Sequence, residues 1–118
     1  MNTPTSITID DVVYVRADSI LAPNGVHVMV RSRDAGVFAG RLVCRTGDEV
    51  ELSDARRIWR WEGAATLSEL ATRGTSKPSS CKFPASVPSI VVLGVCEVIP
   101  MTDRAVASIG TVPAWSQA

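Results

Sequence analysis

Turn signals recur along the first half of the chain at spacings of about ten residues, and this rhythm most narrows the folds open to it. Pro23-Asn24-Gly25, Asp34-Ala35-Gly36 and Thr46-Gly47-Asp48 supply residues that tolerate a left-handed backbone. Between them lie short runs rich in Val, Leu and Phe, which suit a half-buried pleated surface. The predicted strands are Val12 to Arg16, Val26 to Arg33, Val37 to Arg45, Glu49 to Leu52 and Arg56 to Trp61. In the second, Val26, Val28 and Val30 alternate with His27, Met29 and Arg31; in the third, Phe38, Gly40, Leu42 and Cys44 fall on one side. Gly36 and Gly40 mark a bulge or a close backbone approach.

The second half reads differently. Thr66-Leu67-Ser68-Glu69 matches a capping box, with Leu67, Leu70 and Ala71 as the buried stripe and Gly74 as the stop, so a helix of about two turns is expected. Thr75 to Pro88 holds three prolines and four serines and reads as an ordered loop. Ile90 to Ile99 is predicted to be a buried strand kinked at Gly94, and Thr102 caps a second short helix ending at Gly110. Val112-Pro113-Ala114-Trp115 is read as a tail. The expected fold is mainly β with a minor α component: a small antiparallel barrel-like or sandwich-like meander with one or two short helices. At 118 residues it forms a single domain over 1–118, with residues 1–10 a flexible extension.

Composition excludes several classes. An apolar content of 46% with 20% charged residues is that of a globular chain, not a disordered one. Twelve basic residues balance twelve acidic ones, so no overall field draws in nucleic acid or an anionic membrane. The longest apolar run, Ile90 to Ile99, is about half a membrane span, and Met1 to Thr8 lacks the basic and apolar regions of an export signal. Cys44, Cys81 and Cys96 are odd in number and widely spaced, which signals neither a disulfide framework nor a zinc site; reduced thiols in a cytosol are expected.

Two stretches carry recognisable binding chemistry. In an extended Arg56 to Trp61, alternation puts Arg57, Trp59 and Trp61 on one face and Arg56, Ile58 and Arg60 on the other. Two indoles and a guanidinium suit a nucleobase with its phosphate, and equally suit a core or subunit interface. Ser76, Lys77, Ser79, Ser80 and Lys82 bring hydroxyls and ammonium groups that can surround an anion, although the spacing is not that of a P-loop. A catalytic set is not visible: His27 is the single histidine, and Cys81, although next to Lys82, has no evident base. No metal or cofactor is expected.

Three blocks, Asp34 to Gly40, Asp54 to Leu67, and Gly74 to Pro78 with Cys81-Lys82-Phe83-Pro84, together resemble a family of uncharacterised small proteins encoded by tailed bacteriophages and prophages. The resemblance spans about Val26 to Trp115 and departs at Arg60, where the family pattern has an aromatic or apolar residue. It implies a phage setting, in the cytoplasm of an infected bacterial host, and no mechanism. The leading expectation is a homo-oligomeric, non-enzymatic binding protein for a small anionic or nucleotide-like ligand, acting against a host defence. In it Trp59 or Trp61 stacks on the base, Arg57, Lys77 and Lys82 neutralise charge, and Ser76, Ser79 and Ser80 donate hydrogen bonds. The alternative is a structural or protein-binding phage component, with a host protein or another subunit meeting its tryptophans.

Overall fold

A computed structural model describes residues 25–117; the expected strand Val12 to Arg16 and the extension over residues 1–10 lie outside them. Five strands form one antiparallel sheet: β1 (His27–Ser32), β2 (Gly36–Thr46), β3 (Glu49–Arg57), β4 (Val87–Val92) and β5 (Val95–Pro100). The spatial order is β4-β3-β2-β1-β5. β4 and β5 are separated by only Leu93 and Gly94, yet they occupy opposite ends of that order. The sheet must therefore curl until its two ends meet at one corner, although it does not close into a barrel.

The corner explains why Ile90 to Ile99 is two strands and not one. Gly94 has φ 68°, a left-handed value that lets the chain leave β3 and cross to β1. Three hydrogen bonds fasten the crossing: the Ser32 hydroxyl to the Leu93 carbonyl (2.6 Å), Arg33 N–H to Gly94 (3.3 Å) and Val95 N–H to Asp48 (2.8 Å). Ser32 is buried, and this bond satisfies the hydroxyl it takes out of water.

Curling gives the sheet two apolar faces with different cover. The inner cluster, which includes Val28, Val30, Phe38, Leu42, Val50, Leu52 and Val92, is drawn from strand residues alone. On the outer face Met29 and Ala39 pack with Ile58, Leu67, Leu70, Cys81, Phe83, Ile109 and Val112. β1 is thus buried on both sides, which its half-alternating sequence did not reveal. The single-sided set predicted for β2 also breaks: Phe38 and Leu42 are inside, but a register shift between Leu42 and Cys44 leaves Cys44 exposed.

The outer cover is built from α1 (Leu67–Arg73) and α2 (Asp103–Gly110), which pack on each other. Glu69 N–H donates to Thr66 Oγ1 at 3.1 Å, as the capping box predicts, while the Glu69 carboxylate takes the N–H of Ala65 at 2.7 Å, one residue earlier than the motif's usual partner. Gly74, φ 78°, ends α1 where a Cβ would lie 2.2 Å from that of Ser108. Thr102 caps α2 by accepting from Ala105 N–H and also donates to Thr72, tying the two helices together.

β3 runs through Ser53-Asp54, the expected break between two strands. One additional residue enters β3 opposite β2, where Asp54 and Ala55 face Gly40 between the pairs Ala39 with Arg56 and Arg41 with Ser53, and Asp54 takes φ 49° there. Gly40 makes the bulge fit, because a Cβ on it would meet Ser53 O and Ala55 Cα at 3.1 Å. The strand then stops at Arg57, short of the predicted Trp61; beyond it only Arg60 forms a bridge, with Lys82.

Candidate functional site

Ending β3 at Arg57 separates residues that an unbroken strand would have aligned. Arg57 shares the face of Phe38: its guanidinium lies over that ring, 4.4 Å from the centroid, and donates to the Ala35 carbonyl at 2.6 Å. Trp61 packs against the outer core and donates its indole N–H to Ala64 O at 3.1 Å. Trp59 instead points to solvent and is 62% exposed. Its companion is Trp115, whose ring lies parallel within 3°, with centroids 6.4 Å apart. The Lys82 ammonium sits 5.4 Å from the Trp115 centroid, within cation–π range. Arg60 stands directly across from Lys82, through the bonds Lys82 N–H to Arg60 O (2.8 Å) and Arg60 N–H to Lys82 O (3.2 Å). Two indoles and two cations therefore share one surface, with Glu62 paired to Arg60 at 3.3 Å as the nearby carboxylate.

Arg56 holds this surface together. Its Nε donates to Pro84 O (2.9 Å), Nη1 to Ile109 O (2.9 Å), and Nη2 to Phe83 O (3.1 Å) and Val112 O (2.6 Å). One planar fork thus joins the segment carrying Lys82, the end of α2 and the tail carrying Trp115, a geometry no ammonium can reproduce. The tail adds Trp115 N–H to Phe83 O (2.9 Å). The acceptors are neutral carbonyls, so burial pulls the guanidinium below its ordinary pKa, the group remaining charged. Arg56 was expected on the face opposite the site; its role is to position it. Trp115, read as tail, and Arg60, read as a departure from the family pattern, were missed because their place depends on contacts remote in sequence.

The Ser/Lys loop departs from the expected span of Thr75 to Pro88, since Val87 and Pro88 belong to β4, and its donors are mostly committed to holding it. Thr75 Oγ1 bonds Glu62 O and receives Lys77 N–H at 2.9 Å; Ser76 N–H and hydroxyl both reach Gly63 O at 3.3 Å. Pro78–Ser80 form one 3-10 turn, with Ser80 N–H on Lys77 O (3.0 Å) and Cys81 N–H on Pro78 O (3.3 Å). An anion cradle of loop amides is therefore largely pre-empted, while the side chains of Lys77, Ser79 and Ser80 remain exposed. Lys82 is the member of this group that the fold brings to the tryptophans. Cys81 is buried, with its sulfur 3.5–3.6 Å from Glu62 O, Thr75 Oγ1 and Lys77 O. Its thiol is a structural contact turned away from solvent.

A cleft of about 470 Å³ lies between the β3 bulge and α2, with His27, Asp54, Arg56, Met101 and Val106 among its walls. Among the described residues no hydrogen bond joins His27 to Asp54, and Arg56 is directed to the carbonyls of Pro84 and Ile109. Among the described residues no group of three or more His, Cys, Asp or Glu is placed to hold a metal ion, and no helix is long and apolar enough to cross a membrane.

Fold and surface together define a small domain of the mainly β class, a curled open sheet capped by two helices on its outer face. The chain belongs to the DUF6948 family, a domain of unknown function whose family model matches residues 25–109. No curated protein and no solved structure matches it.

Proposed function

We propose that the protein is a non-enzymatic binding protein that holds a small planar anion, nucleotide-like in chemistry, on the surface formed by Trp59, Trp115, Lys82 and Arg60. The observation that carries this reading is the exposed indole of Trp59 beside a second parallel indole and two cations. A base stacked on Trp59 is worth about 1–3 kcal/mol, and a phosphate reaching Lys82 and Arg60 adds charge-assisted hydrogen bonds. Lys77, Ser79 and Ser80 extend the anion-binding set from the exposed side of the loop. Arg57 and Trp61, each engaged with its own neighbours, contribute to the scaffold. The resemblance to proteins of tailed phages and prophages adds the setting: sequestration of a nucleotide signal of host defence, in the cytoplasm of the infected cell.

Isothermal titration against cyclic nucleotides and ADP-ribose-type nucleotides tests it. Saturable binding is expected, weakened about tenfold in Trp59→Ala, which corresponds to about 1.4 kcal/mol. A panel without binding sinks the proposal. The exposure of Trp59 also favours a second reading, in which the indole pair meets another protein chain, a second copy or a host protein. Trp59→Ala would then abolish assembly in gel filtration and leave no ligand effect to measure.

A further inference from the structure

Most of the large hydrophobic side chains that remain exposed lie away from the tryptophans. Val87, Val91 and Leu93 are 43%, 54% and 59% exposed, and all belong to β4 or the corner after it. Among the described residues β4 pairs with β3 alone, and no other described strand takes the backbone N–H and C=O groups of its outer edge. Folded proteins ordinarily protect such an edge with charges, bulges or proline. From Val87 to Gly94 there is no charged residue at all, and Pro88 is the single protective device. The opposite edge strand, β5, differs: it carries Glu97, ion-paired to Arg31 at 3.3 Å, and it packs against α1.

We infer that the β4 edge is the surface on which a second copy of this chain docks, by antiparallel β4–β4 pairing that joins two sheets into one. The partner is a second copy because the edge is self-compatible. A two-fold axis at Ile90 sets Val87 opposite Leu93 of the partner subunit and Ser89 opposite Val91 of the partner subunit, with no like charges brought together. Pro88 lacks an N–H and removes one donor from the new ladder without blocking the strand. The inequality of the two edges also fixes the size of the assembly. Pairing β4 with β4 closes after two copies, whereas pairing β4 with β5 would grow without limit, and β5 is the edge that carries a charge. This inference is independent of the ligand reading, since the Trp59 surface is built from other segments.

Sedimentation velocity over a concentration series tests it, with Val91→Lys as the variant. Val91 lies opposite Glu51 on β3, so the lysine gains a cross-strand partner within the fold while placing a charge on the edge. The wild-type chain should sediment at twice the monomer mass, and Val91→Lys should return to the monomer mass with an unchanged circular dichroism spectrum. Leu93→Arg, at the corner, should behave alike if Val91→Lys fails to fold. A wild type that stays monomeric throughout, an open series of higher oligomers, or a dimer that survives both variants and dissociates in Trp59→Ala would each overturn the inference.

Discussion

The loop corner around Gly63 and the surface around Trp59 are built from the same stretch of chain, and they use their polar groups in opposite ways. In the corner, the hydroxyl of Thr75, the amide of Ser76 and the thiol of Cys81 turn inward onto Glu62 and Gly63, and the amide of Lys77 closes onto the Thr75 hydroxyl. At the tryptophan surface the backbone is fixed by Arg56, and the Trp59 indole is left facing solvent, with Trp115 and Lys82 half-buried beside it. A run of hydroxyls suggests binding by composition, yet buried polar groups are first required to satisfy one another. An exposed indole such as that of Trp59 is the rarer arrangement, because burying large rings contributes so much to folding.

The corner is most sensitive at Gly63. Its φ is 84°, and a Cβ would come within 2.7 Å of Lys77 N and Thr75 Oγ1. Gly63→Ala should cost about 3 kcal/mol in denaturant unfolding, combining backbone strain with a clash; a loss under about 1 kcal/mol would mean the corner is not held as described. Next comes Arg56→Lys, which keeps the charge but loses the fork. We expect about 2–3 kcal/mol of destabilisation. The near-ultraviolet circular dichroism of the Trp59–Trp115 pair should also be lost in conditions where the protein is still folded. An unchanged spectrum would separate the clamp from the site.

Trp59→Ala should cost under about 1 kcal/mol of stability, since most of the ring is already in water, while producing the tenfold loss of ligand affinity. The smallest effect is expected from Ser79→Ala and Ser80→Ala, within about 0.5 kcal/mol of wild type, because both lie exposed on the 3-10 turn. Their effect on nucleotide titration then reports whether the loop's outer side belongs to the binding surface.

Much of the scaffold was legible in residues that act locally. Turn residues and apolar alternation located β1 and β2; Thr66, Glu69 and Gly74 located α1; Thr102 located α2; and Gly94 marked a change of direction. Gly40 pointed to a close approach, which the bulge at Asp54 supplies. The split of Ile90 to Ile99 was harder to foresee, because a kinked strand and two strands at opposite sheet ends have the same local pattern. The difference lies in what each half pairs with, and pairing is a long-range property.

The site divides along the same line. Residue type alone marks Arg56 to Pro84 as the stretch with the distinctive chemistry, because Trp, Arg, Lys and clustered Ser are visible wherever they fall. The folded chain sets which of them meet. It turned Trp61 inward and Trp59 outward although they are two residues apart, and it set Arg57 against Phe38. It also brought Trp115 and Lys82 together through an arginine whose four carbonyl partners come from three remote segments. Periodicity fixes a side chain's direction only while a strand continues, and here the strand ends one residue before Ile58.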